Sequence, residues 1–364
     1  MEQTTREYTD AELLRAHALK YGEGLPWAEV ATMVGAPGEN AIRKAVFRAR
    51  RRGVFDMAVR QAVAAGQPVP EIVGVPAEDE PDEEAVWQSM TRTWQRVKAR
   101  EAARAQQRID FSATDLPVCI TYLADLHLGG SGVDYPQIDA DIETIQGTTG
   151  MFAAVVGDVV DNFLFSWAMK IRMGTEHTIP DEWAAARRVL GKLGPHTLAT
   201  LAGNHDKWTR NLAGIDYFRE VAAEASPDAL YDRDEIVFDL LVGGGASYRV
   251  KLRHIWQGSS IYNQTHAVER AVRFDCPDVD HGVAAHTHHA GLSRPFHVGG
   301  RMKMATQCGA YKRVDEYQRE KGFYQSNEQA AQAVMYTPDG VIQAFQTLDL
   351  AAQHMAIYYG KREV

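Results

Sequence analysis

The sequence predicts an α/β protein: a two-sheet α/β sandwich, preceded by a small all-helical domain and a long connecting helix. Three observations lead there. From residue 116 onward, short β-branched and aliphatic runs first alternate with helical patterns and then follow one another directly, as in layered α/β folds. Several of those runs end in Asp, Asn or His. Before residue 66 the apolar periodicity is helical instead.

The whole chain sets outer bounds. At 364 residues it is long enough for two or more domains. With 45% hydrophobic and 24% charged residues it can build a sizeable core. No apolar run approaches the ~20 residues of a membrane helix, so no membrane partner is expected. The first residues, Met-Glu-Gln-Thr-Thr-Arg, lack a signal-peptide core, and the expected location is the cytoplasm of a bacterium or phage-infected host. Cys119, Cys276 and Cys308 have no zinc-site or disulfide spacing and read as small apolar residues. The net charge of −9 argues against a generic nucleic-acid binder, yet the charge is uneven. Arg43, Lys44, Arg48, Arg50 and Arg51 crowd one stretch, and Glu78 to Glu84 another.

Residues 1–62 form the expected helical domain, with three short helices. Thr9 or Asp10 caps the first, and Gly22 and Gly24 end it. Pro26 opens the second, 27–34. After the turn Gly35-Ala36-Pro37-Gly38, Asn40 is placed as the cap of a third, reaching residue 52, with Ile42, Val46 and Phe47 inward. A short helix, a glycine turn and a basic second helix make a helix-turn-helix pattern. The segment resembles those of bacterial and phage regulators, which implies DNA contact by Arg43, Lys44, Arg48, Arg50 and Arg51. The alternative is a helical cap with a solvated basic face.

Residues 63–84 read as an acidic, proline-rich linker. Residues 85–110 read as one connecting helix, with Trp87, Met90, Trp94 and Val97 on one stripe. That stripe is expected to dock on the following domain; a dimer through this helix, or a basic nucleic-acid arm, is the alternative. The third domain spans 115–350, and 351–364 is left as a tail. Its expected strands are 118–124, 151–156, 197–201, 235–242, 247–255, 282–285, 301–307, 333–336 and 341–347, with helices at 182–193 and 217–225.

The chemistry sits in five blocks in fixed order: Asp125-Leu126-His127, Gly157-Asp158-Val159-Val160-Asp161, Gly203-Asn204-His205-Asp206, His254, and His286-Thr287-His288. Loops past the C-terminal ends of strands are where α/β domains place functional side chains. Asp, Asn and His together suit divalent cations. Singly each block is weak: Gly-Asp is a common turn, and His281, His286, His288 and His289 could be a surface patch or one edge of a zinc site.

Together the blocks resemble the calcineurin-like metallophosphoesterase superfamily over about residues 116–350, and the stretches from Arg253 to Asn263 and from Cys308 to Lys312 resemble phage-encoded members. Ala285 departs from the glycine usual before the last His pair. The resemblance implies two divalent metal ions, manganese first among Mn, Fe, Zn and Mg. It implies Asp125, His127 and His288 on one, Asn204, His254 and His286 on the other, and Asp158 bridging. It further implies attack on phosphorus by a metal-activated hydroxide. His205 would face the leaving oxygen, with Asp206 orienting its ring and Asp161 supporting a ligand. His266 is a rival to His254 for the fourth block. Lys312 could meet a phosphate but reads more simply as a surface lysine.

The resemblance narrows the substrate. Ala202 and Asp206 stand where phosphoprotein phosphatases of the superfamily carry Arg and Glu, which argues against phosphoproteins. Lys207-Trp208 offers a cation and an aromatic ring for a phosphodiester backbone. With the basic helix, DNA is the expected substrate and partner, and the activity that of a nuclease. Small nucleotides, or a DNA-binding regulator with a secondary phosphoesterase domain, are the alternatives.

Overall fold

The computed structural model describes residues 7–51, 54–55, 82–104, 106–164, 177–258, 260, 262–289, 291–313 and 330–360. The chain divides into two units, Met1–Val86 and Trp87–Val364.

The first unit holds α1 (Asp10–His17), α2 (Trp27–Met33) and α3 (Glu39–Arg51). Thr9 closes a capping box with Glu12, so two orphan N–H groups of α1 are satisfied reciprocally. Leu13, Ala16, Val30, Ile42, Val46 and Ala49 form its core. Two expectations change. Helix α3 begins before Asn40, with the Gly38 carbonyl accepting from Ala41 and Ile42. Phe47 is 52% exposed, because helical spacing sets it on the outer face beside Arg43 and Lys44, away from buried Ile42, Val46 and Ala49. The expected linker lies almost wholly outside the described residues, as does the Arg51 side chain.

Helix α4 (Glu83–Arg104) buries none of its residues. The expected docking of its tryptophan stripe is therefore not realised; Trp87 and Trp94 are 67% and 61% exposed. Among the described residues, its last turn is fastened to the domain by Arg104 on Asp232. The chain then leaves the helix, and Arg108 opens a strand that the sequence pattern hid.

The sandwich contains β1 (Arg108–Phe111), β2 (Val118–Leu123), β3 (Met151–Val156), β4 (Thr197–Leu201), β5 (Leu230–Asp232) and β6 (Ile236–Val242). It continues with β7 (Ala246–Leu252), β8 (His281–Ala284), β9 (Leu292–Val298), β10 (Arg301–Gln307), β11 (Gln332–Tyr336) and β12 (Ile342–Phe345). One six-stranded sheet runs β1-β6-β7-β8-β10-β9, the other β12-β11-β2-β3-β4-β5. Both are mixed, and β2, β3, β4 and β5 are parallel.

Strand β2, central in its sheet between antiparallel β11 and parallel β3, is buried on both faces. Val118, Ile120 and Tyr122 enter the layer between the sheets, where they meet Ile236, Phe238 and Leu240 of β6. Cys119 and Leu123 face helices α5 (Tyr135–Gly147), α6 (Ile179–Leu193) and α8 (Tyr217–Ala225). The short α7 (Trp208–Ala213) precedes α8, and α9 (His266–Phe274) covers the other sheet. The expected tail at 351–360 is instead part of α10 (Leu348–Gly360), which buries Ala351 and Met355 beside β11 and anchors Tyr359 on the Pro117 carbonyl. No described helix is long and apolar enough to cross a membrane.

Candidate metal centre

The blocks lie on loops at the C-terminal ends of β2, β3, β4, β7 and β8. The β2 and β3 loops stay zipped past their strands: Asp125 N–H donates to Gly157, His127 to Asp158 and Leu128 to Val159. Asp125, His127, Asp158, Asn162, His286 and His288 all have positive φ. Asp, Asn and His tolerate this left-handed backbone better than bulkier residues, so the donor residue types also suit the turns. Two glycines are steric necessities. A Cβ on Gly157 (φ 92°) would lie 2.6 Å from the Gly203 nitrogen and from His254 Nδ1. One on Gly203 would lie 2.0 Å from Asp158 Oδ1. Ala285, in contrast, is accepted in the core.

Three overlapping groups offer donor atoms within 4.8 Å of one another: Asp125, His127 and His288; His127, Asp158 and His205; and Asp158, His254 and His286. Shared members join them into one site. Among the described residues, Asp125 Oδ1, Asp158 Oδ2, Asn204 Oδ1 and His254 Nε2 are buried side-chain atoms without a well-formed hydrogen bond, although His254 Nε2 and Asp158 Oδ2 face each other at 3.0 Å. Orphan donors and acceptors of this kind are costly unless something binds them. A mixed O and N set with a shared carboxylate fits two divalent cations and does not select among Mn, Fe, Zn and Mg.

The ring orientations are fixed from behind. His254 Nδ1–H donates to the Val156 carbonyl at 2.7 Å, which turns Nε2 inward, 3.0 Å from Asp158 Oδ2. His127 Nδ1 bonds Asp161 Oδ1 at 2.8 Å, and its Nε2 lies 2.9 Å from His288 Nε2. Burial pulls the His127 pKa down to about 4, leaving a neutral ring able to ligate. Burial also opposes charge on His254, but Asp158 and Asp125 outweigh it and raise the ring to about 9. His205 Nδ1–H donates to the Asp161 carbonyl at 2.6 Å. Trp208 lies over the same ring, with centroids 4.0 Å apart.

Several expectations are corrected. Asp206 does not touch the His205 ring. It accepts from the N–H groups of Val159, Val160 and Gly203, tying the β3 and β4 loops together, because the chain turns its carboxylate into those orphan amides. The main-chain oxygen of Asp161 orients His205 instead. Lys312 is no surface lysine: it is buried, with Nζ 3.0 and 3.1 Å from the two Asp161 oxygens. His266 opens α9, exposed and outside the donor groups. His281 is buried between the sheets on Tyr336 and Thr306, and burial lowers its pKa to about 3. Lys207 faces Asp234 at 3.5 Å.

Glu182 carried no signal in the sequence, and Asn162 little. Asn162 Nδ2 donates to the His205 carbonyl at 2.7 Å, and the Glu182 carboxylate accepts from Asn162 N–H at 2.6 Å. Only the position of Asn162, one after the second block, pointed toward it.

In the first unit, Arg43, Lys44, Arg48 and Arg50 all lie exposed on α3.

The fold and its loops thus define an α/β sandwich with a candidate dimetal centre. No protein-family model and no curated protein matches the chain. Among solved structures it is similar to vacuolar protein sorting 29 of Cryptosporidium parvum, at 12% identity and TM-score 0.34, over 64% of this chain and 97% of that one. It is similar to the calcineurin-like phosphoesterase YfkN of Bacillus subtilis at 10% identity and TM-score 0.31, over 67% and 98%. Pseudomonas putida nuclease MPE is similar at 10% identity and TM-score 0.27, over 62% and 87%. Similarity at that level bears on neither activity nor substrate, which the residues themselves must carry.

Proposed function

We propose that this protein is a metal-dependent phosphodiesterase of the calcineurin-like kind, acting on DNA as a nuclease. The observation that carries the reading is the convergence of four buried donor atoms without well-formed hydrogen bonds among the described residues, on Asp125, Asp158, Asn204 and His254. In this reading Asp125, His127 and His288 hold one divalent cation, Asn204, His254 and His286 the second, and Asp158 both. Once bound, such a pair supplies a nucleophile at neutral pH and neutralises charge on phosphate oxygens.

The chain's own part is positioning and proton handling. His205 Nδ1 is committed to the Asp161 carbonyl, so Nε2 is the atom that carries a proton toward the leaving oxygen. Trp208 and Phe163 flank that ring and hold its plane. Asp161 fixes His127 as Asp206 fixes the loops. DNA as substrate draws support from the exposed cations Arg43, Lys44, Arg48 and Arg50 around exposed Phe47 on α3.

The test is cleavage of labelled single- and double-stranded DNA in Mn²⁺, beside Asp158→Ala. Cleavage that disappears in the variant supports the reading. Intact DNA with an aryl phosphodiester still hydrolysed refutes DNA and points to small nucleotides.

A further inference from the structure

The larger unit carries a second cavity, away from the donor atoms, of about 540 Å³. Arg100, Arg104, Arg210, Arg219 and Arg233 line it, against the carboxylates of Asp216 and Asp232. Arg104 is committed to Asp232 through two hydrogen bonds, and Arg233 has Asp216 at 3.9 Å. Among the described residues, no carboxylate pairs with the guanidinium groups of Arg100, Arg210 or Arg219. A chain of net charge −9 therefore gathers three uncompensated guanidiniums in one concavity. Planar guanidiniums in a cluster are the chemistry that binds phosphate oxygens.

The position of the cavity selects among phosphates. Helix α7 starts at Trp208, whose ring lies on His205, and Arg210 follows two residues later. The chain from His205 to Arg210 can span at most about 17 Å. At about 3.4 Å of rise per nucleotide, the cavity therefore lies within about five nucleotides of strand from the metal centre.

We propose that this cavity holds backbone phosphates of the same polynucleotide whose scissile phosphate lies at the metal centre. The inference rests on the phosphodiesterase reading of that centre. It puts substrate grip on the catalytic unit itself, independent of α3.

The test uses the full chain with Arg210→Gln and Arg219→Gln combined, leaving the ion-paired Arg104 and Arg233 in place. Turnover is measured in Mn²⁺ on oligonucleotides of graded length and on an aryl phosphodiester. Expected are a loss of about tenfold or more in kcat/KM on long oligonucleotides, a shallower salt dependence, and no loss on the aryl diester. The loss should grow with oligonucleotide length and level off by about five nucleotides, the longest stretch the span to Arg210 allows. Unchanged oligonucleotide turnover overturns the proposal, and so does an equal loss on the aryl diester, which marks a structural role. Binding of inorganic phosphate that the variant loses while its oligonucleotide turnover is intact assigns the cavity to a free anion and also overturns it. A wild type that hydrolyses the aryl diester but no polynucleotide sinks this proposal and leaves the phosphodiesterase standing. A wild type inert on both sinks the reading beneath it.

A different observation carries a second inference. On α4, Trp87, Met90, Trp94 and Val97 recur at spacings of three, four and three and are 67%, 61%, 61% and 49% exposed. This is the 3-4 spacing of a short apolar seam two heptads long, bounded by Glu83 and Glu101. Asp82, Glu83 and Glu84 stand at the helix start; Arg96, Lys98 and Arg100 stand toward its end, with Glu101 bonded to Lys98 at 2.8 Å, so the end keeps a net positive charge. Only antiparallel pairing brings those ends together. We infer that α4 pairs antiparallel with α4 of a second copy, Trp87 against Val97, Met90 against Trp94, and Glu84 near Lys98. Sedimentation of the full chain should show a concentration-dependent dimer that Trp87→Ser with Trp94→Ser abolishes. Lys98→Glu should weaken it, and adding Glu84→Lys should restore it. A monomer at all concentrations, or a swap that fails to restore pairing, overturns the inference.

Discussion

The buried pair of Lys312 and Asp161 gives the sharpest quantitative test. Their side chains are 4% and 2% exposed, and Nζ lies within reach of both carboxylate oxygens. Lys312→Met leaves the Asp161 carboxylate with His127 as its remaining side-chain partner. Asp161→Asn leaves a buried ammonium facing a neutral group. Removing one partner of a buried pair costs about 3–5 kcal/mol. For a domain of this size that lowers Tm by roughly 6–20 °C, at about 2–4 °C per kcal/mol. The double variant, neutral on both sides, should recover more than half of the loss. Thermal unfolding followed by circular dichroism, in chelator so that metal binding does not report, measures all four proteins. Burial pushes the Asp161 carboxyl up, but His127 and Lys312 outweigh it and hold it at about 2, below its ordinary 3.8. A depressed carboxyl contributes its stability above the ordinary value and loses it as pH falls through the folded value. The Lys312→Met penalty should therefore shrink between about pH 4 and pH 2. Single variants within about 2 °C of wild type, or a double variant equal to the sum of the singles, would refute the argument.

Four further outcomes are expected. His205→Ala should abolish turnover and keep the metal content measured by mass spectrometry; loss of metal would show that the ring is a ligand. Gly203→Ala places a methyl 2.0 Å from Asp158 Oδ1 and should lose metal, whereas Gly191→Ala, with nothing within 4 Å in α6, should be neutral or stabilising by up to about 1 kcal/mol. Metal uptake requires His254 Nε2 without its proton, and that ring is raised to about 9. Apparent affinity, read by calorimetry, should thus rise with pH toward 9 and level off above it, and a flat profile would remove His254 from the ligand set. Replacing Arg48 and Arg50 with Gln should weaken DNA binding and reduce its salt slope by about one to two phosphate contacts, as fluorescence anisotropy would show; an unchanged slope would detach α3 from DNA.

The blocks around Asp125, Asp158 and His286 were readable because their strand-end loops need residues that tolerate left-handed backbone, and Asp, Asn and His serve both the turn and the chemistry. The α/β sandwich was legible for the same local reason: β2 and β3 are buried on both faces and read as continuous apolar runs. Local patterns said nothing about β1, β9 or α10, whose residues are half-exposed or lack a charged face.

What tertiary structure alone decided is which side chains meet. Lys312 reaches Asp161 across 151 positions, and Glu182 reaches Asn162 across 20. Asp206 turns to amides of another loop, and Phe47 and the α4 tryptophans stay exposed where spacing implied burial. Periodicity reports which face of an element is apolar; it carries no information about what, if anything, will cover that face. Partner choice at the site depends on strand order and loop closure, and those are set by the packing of both sheets together.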